Sequence, residues 1–155
     1  MSTGWRAVAN KEIETVGWGS PSGQACLYGS ALRLEASGAA HLVNHLMPAG
    51  TTIQEWYSFT DSQLVWEVPV LPLLHHAKTY RLILGVVSVP EDTFVVEVRH
   101  FNRFKELVRT DVLYPPAYQF EYPAECHHYT IRLVNGGCDE LRFTSLTLLE
   151  VEADG

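Results

Sequence analysis

Runs of like charge, long apolar stretches and paired cysteines are all missing from this chain. The basic residues, 11 Lys and Arg in 155, are scattered singly against 18 acids, for a net charge of −7. Nucleic-acid binding needs clustered cations to neutralise phosphates, so a nucleic-acid partner is not expected. No apolar run approaches the ~18 residues that cross a bilayer; the longest, LILGVVSV, has strand length and stops at Pro90. The N-terminus MSTGWRAVANKEIETVG lacks the basic flank and apolar centre of a signal peptide, and a cytoplasmic protein without a transmembrane segment is expected. Cys26, Cys126 and Cys138 are odd in number and widely spaced, which fits reduced thiols acting as small apolar groups.

Apolar residues at 46% and charged residues at 19% make the chain globular. Its length fits one domain. Residues 1–25 carry few core signals, and GWGSPSG (17–23) is dense in chain breakers. That segment reads as an arm or early edge strand, either draped over the domain or docking a partner through Trp5 and Trp18.

Residues 26–152 read as a single β-sandwich domain, because the apolar period from residue 26 onward is two. FVVEVRHF puts Phe94, Val96, Val98 and His100 on one face; YTIRLV does the same with Tyr129, Ile131 and Leu133. QLVWEV (63–68) and AYQFEY (117–122) alternate likewise. KTYRLILGVVSV (78–89) is apolar on both faces, as a strand covered on each side is. In LRFTSLTLLEVE the phase slips between Phe143 and Leu146, which predicts a β-bulge at Thr144–Ser145. FKELVRTDV (104–112) fits either a short helix or a strand. Turn signals about every ten residues complete the pattern of an all-β antiparallel sandwich.

HLVNHLMPAGTTIQEWY (41–57) places a stiff corner beside two aromatics. Pro48 fixes φ near −65° and Gly50 permits positive φ, so the chain turns sharply here. With TTIQEWYSF as a strand, Ile53, Tyr57 and Phe59 share a face and Trp56 lies on the opposite one.

Catalytic patterns are weak. The pairs His75–His76 and His127–His128 splay to opposite faces of a strand, and His41 and His45 lie too far apart to share an ion. Scattered histidines leave a cupin-like metal site as a minor alternative. No nucleophile elbow or phosphate loop occurs, and Cys126–His128 is spaced too widely for a nucleophile–base bond. No enzyme, cofactor or metal is expected. The aromatics remain: Trp56, Tyr57 and Trp66 are candidates for a ligand-binding face that stacks on sugar rings, with core packing as the plain alternative.

YGSALRL (28–34), VNHLMPAGTTIQEWYS (43–58), VPVLPLLHHAKTYRLIL (68–84), HFNRF (100–104), FEYP (120–123) and YTIRLVNGGCDELRFTSLTL (129–148) occur in an order that resembles the small third component of the accessory Sec system of Gram-positive bacteria. The resemblance covers most of residues 27–148. It implies a non-catalytic cytoplasmic sandwich, jelly-roll-like and similar to carbohydrate-binding modules. It further implies work in a complex with two other accessory Sec proteins and the motor ATPase, engaging serine-rich repeat glycoprotein adhesins for export. A stand-alone module for N-acetylglucosamine-type glycans is the alternative.

Overall fold

In the computed structural model, residues 10–18, 31–37, 39–44, 48–58, 71–114 and 118–151 are described. Ten strands run through them: β1 (Asn10–Val16), β2 (Ala31–Leu34), β3 (Ala40–Val43), β4 (Thr52–Tyr57), β5 (Thr79–Val89), β6 (Phe94–Phe101), β7 (Leu107–Leu113), β8 (Gln119–Glu121), β9 (His128–Asn135) and β10 (Glu140–Val151). Among the described residues there is no helix, and so none long and apolar enough to cross a membrane.

Two antiparallel sheets form the sandwich. One has the order β2-β3-β10-β5-β8 with β1 also on β10; the other has the order β4-β9-β6-β7. β10 is the spine of the first sheet. Along one edge it pairs β3 through residues 140–143 and then β1 through 146–151, while β5 pairs along its other edge. Its register slips between Phe143 and Ser145, where the phase break in the sequence predicts a bulge. The slip keeps Leu141, Phe143, Leu146 and Leu148 all buried. Gly85 lies opposite it, where a β-carbon would stand 3.2 Å from the Ser145 nitrogen.

Alternation holds in β6 and β9. Val96, Val98 and His100 point inward from β6, and Tyr129, Ile131 and Leu133 from β9. Within 104–112 the chain is strand from Leu107 and not helix, with β7 following a turn in which the Asn102 side-chain oxygen accepts from the Phe104 and Glu106 amides.

Two expectations change. β5 is not covered on both sides: Ile83, Val87 and Val89 are exposed. Nor does β4 alternate from its first residue, because the β4–β9 register shifts between Thr52 and Gln54. Ile53 is the extra residue, so it joins Gln54 and Trp56 on the buried side while Tyr57 faces outward. Of the two readings of the N-terminal segment, arm or early edge strand, residues 10–16 take the strand: β1 is laddered onto β10, and Trp18 is buried beside it.

The 48–50 corner is fastened from across the sheet. Gly50 sits at φ +96° and its amide donates to the Asn135 carbonyl at 2.7 Å. The Asn135 amide donates to Thr51 at 2.8 Å, and its side-chain Nδ2 to the Pro48 carbonyl at 3.1 Å.

Candidate interaction surfaces

The two tryptophans of the expected sites that the structure describes are core groups. Trp56 is 4% and Trp18 1% exposed. They meet edge to face at 6.1 Å, and both contact Phe143, Trp56 stacking on it at 5.4 Å. The Trp56 indole N–H donates to the Gly17 carbonyl, and the Gln54 amide to the Trp18 carbonyl. This corrects the expectation of Trp56 as a sugar platform and of Trp18 as a docking residue, because neither ring has a face open to a ligand. Trp5 and Trp66 lie outside the described residues. Tyr57 is half-buried on the outer face of the four-stranded sheet, where its hydroxyl donates to Glu55.

Around Tyr57 that outer face is polar and internally paired. Arg99 reaches Glu55 at 3.7 Å, and Arg132 reaches Glu97 at 3.2 Å and the Thr52 hydroxyl. Such alternation of acid and base across neighbouring strands neutralises the face.

Sequence reasoning missed a buried constellation at the β6–β7 edge. The fully buried His100 places Nε2 2.8 Å from an Asp111 carboxylate oxygen, and its Nδ1 lies 3.6 Å from the Cys126 sulfur. Arg109 also binds Asp111, and it donates to the Glu121 carbonyl on β8, tying the two sheets at this edge. Asp111 and His100 come together because the 102–106 turn folds β7 back along β6, a register visible only if 104–112 is taken as strand. The order Cys–His–Asp is that of an activated nucleophile. Here Cys126 is 0% exposed and burial pushes its thiol up, so it is neutral and out of reach of a substrate. Its thiol also donates to the His128 carbonyl at 3.0 Å. The assembly is a satisfied polar knot beneath Phe120 and Tyr122, whose rings pack on His100. Among the described residues no three His, Cys, Asp or Glu side chains converge to hold a metal.

Burial holds His100 below its ordinary value of 6.5, against the raising effect of Asp111. The folded chain therefore keeps His100 neutral where the unfolded chain takes up a proton. Because the unfolded state then binds more protons, stability falls as pH drops through about 6.5. His128 is lowered for the same first reason and adds the same sign. Melting temperature followed from about pH 7.5 to about pH 5 is expected to decline, and His100→Gln to flatten the slope. An unaltered slope in that variant would show that His100 does not titrate between the two states.

Exposed apolar side chains collect in two places on opposite sheets. Ile83, Val87 and Val89 stand on the outer face of β5, exposed by 48%, 64% and 55%. Phe104, Leu107, Val108, Val112 and Tyr114 lie along the β6–β7 turn and β7 at the far edge of the other sheet. Single exposed apolar residues are ordinary; contiguous groups mark contact surfaces.

The described residues thus form an antiparallel β-sandwich with exposed apolar side chains on each of its two sheets. The chain belongs to the family of accessory secretory protein 3 of the accessory Sec secretory system, which matches residues 25–150. It is 30% identical over 125 residues, 81% of this chain and 79% of the relative, to the third accessory Sec system protein of Streptococcus gordonii. Among solved structures it resembles a chain of the complex of accessory secretory proteins 1, 2 and 3 of Streptococcus pneumoniae, with TM-score 0.82 and 25% identity over 90% of this chain and 97% of that one. It also resembles a chain of the glycosylation-associate protein (Gap123) complex of Streptococcus agalactiae, with TM-score 0.78 and 31% identity over 92% of this chain and 44% of that one.

Proposed function

We propose that the chain is a non-catalytic, cytoplasmic subunit of an accessory Sec export machinery. It binds two partner accessory Sec proteins and, with them, the serine-rich repeat glycoprotein adhesin for delivery to the motor ATPase and channel. The observation that carries this reading is the pair of apolar surfaces on opposite sheets of a family member whose relatives crystallise in a complex with two other components. A subunit held between two neighbours needs two such surfaces, and a monomeric lectin needs neither. The buried, protonated Cys126 agrees with a binding role.

Contact with the adhesin is weak at each site and repeated along an extended chain, so local concentration supplies the grip. If glycans take part, the outer face around Tyr57, Glu55 and Arg99 is the place for them, since Tyr57 is the candidate ring that reaches the surface among the described residues. Co-purification of the tagged full chain from cells expressing the partner proteins and the adhesin is the test. Recovery of both partners is expected; recovery of neither would remove the proposal. Measurable binding of N-acetylglucosamine by the chain alone, with no partner recovered, would instead favour the stand-alone glycan module.

A further inference from the structure

Two rows of residues cross the outer face of the six-stranded sheet beside one another. The first is Arg33 on β2, His41 on β3, Arg142 on β10 and Val87 on β5, in direct register. The second is Ala31, Val43, Glu140 and Val89. At about 4.8 Å per strand, each row spans about 14 Å. Glu140 is taken up by His41 at 2.5 Å. Neither Arg33 nor Arg142 has an acidic partner among the described residues, and both are exposed. Two arginines without an acidic partner thus stand two strands apart, on either side of the His41–Glu140 pair. The chain carrying this basic row has a net charge of −7.

Next to the row, β5 has the apolar pattern of a strand covered on both faces, yet Val87 and Val89 are more than half exposed. A basic band beside an uncovered apolar strip is the complement of an acidic surface with apolar residues at its centre. Other occupants fit less well. Two copies meeting through this face by a two-fold axis at His41 would set Arg33 of each copy against Arg142 of the other, like charge against like. A phosphate polymer needs a longer run of cations to follow its backbone than Arg33 and Arg142 supply.

We propose that this face, centred on Arg33, Arg142 and Val87, docks one of the two partner accessory Sec proteins through an acidic surface with an apolar centre. The proposal rests on the reading of the chain as an export-complex subunit, and it leaves the β7 surface to the other partner.

The test measures the affinity of the full chain for each purified partner at low and high salt. For one partner, Arg33→Glu with Arg142→Glu is expected to weaken binding at least ten-fold and to abolish the salt dependence seen with the wild-type chain, and Val87→Asp to weaken it by about as much. Binding of the other partner is expected to stay unchanged, and Tyr114→Ala, on the opposite sheet, to leave the first partner's affinity intact. Equal affinity of variant and wild type for both partners overturns the assignment of this face while leaving the subunit reading standing. Loss of self-association in place of partner binding also overturns it, as does a Val87→Asp chain that melts several degrees lower yet binds normally, since the chain then covers its own face. Binding of the wild-type chain to neither partner overturns both readings.

Discussion

Replacing Trp56 with alanine is expected to lower the stability of the chain by about 3–5 kcal/mol, read as a shift in the midpoint of chemical denaturation. The indole is 4% exposed, stacks on Phe143 at 5.4 Å and meets the edge of Trp18 at 6.1 Å. Alanine there removes a ring that joins the two sheets at this end and leaves a cavity bounded by Phe143 and Trp18. It also frees the Gly17 carbonyl that the indole N–H holds, loosening the segment that carries Trp18 inward. A domain of this kind has about 5–15 kcal/mol in all, so the variant sits near the edge of folding. Tyr57→Ala removes the next residue, half-buried on the outer face, and is expected to cost about 1 kcal/mol or less. Equal, small losses at both positions would show that Trp56 does not pack in the core.

The contrast between these neighbours explains what the sequence makes legible and what it hides. Period two is easily read in β6 and β9, where Val96, Val98 and His100, or Tyr129, Ile131 and Leu133, fix the phase. The bulge in β10 is legible because apolar residues stand on both sides of it: Leu141 and Phe143 in one phase, Leu146 and Leu148 in the other. The bulge at Ile53 is not, since Thr51 and Thr52 before it set no phase. β1 stays undecided between arm and edge strand for the same reason: its register slips between Glu12 and Glu14, so Ile13 and Val16 both turn inward with no visible alternation. Trp18 lies in a breaker-rich stretch that reads as loop. Its burial depends on β1 pairing with the far end of the chain.

Surfaces are less legible than the core. The apolar outer face of β5 predicts a cover, and the pattern cannot say whether that cover is the same chain or another. The His100–Asp111 contact needs the register across a turn that local propensity leaves undecided between helix and strand.

Asn135→Ala is the second change with a large expected effect, about 2–4 kcal/mol, although it deletes a polar residue. The side chain is 1% exposed and works in two directions. Its Oδ1 accepts from the Gly137 amide, the Cys138 amide and the Cys138 thiol at 3.0, 3.0 and 3.3 Å, shaping the tight turn between β9 and β10. Its Nδ2 donates to the Pro48 carbonyl, so one residue fastens the turn that feeds the spine strand and the corner that feeds β4. Alanine strands the buried Cys138 amide, at about 1–3 kcal/mol, and releases the amide of the exposed Gly137, which water can reach at a smaller cost. Pro48 is exposed, so water can take over at its carbonyl and the loss there is smaller. Asn135→Asp separates the two functions, because a carboxylate still accepts from the amides of 137 and 138 but cannot donate to Pro48. It is therefore expected to fall between wild type and alanine in denaturation midpoint. Gly50→Ala, which forces a β-carbon onto φ +96° in otherwise open space, is expected to cost about 1 kcal/mol. If the aspartate variant proves as unstable as alanine, the lost link to Pro48 and the cost of burying a carboxylate together outweigh the turn; if it matches wild type, the contacts to Oδ1 carry the residue's contribution.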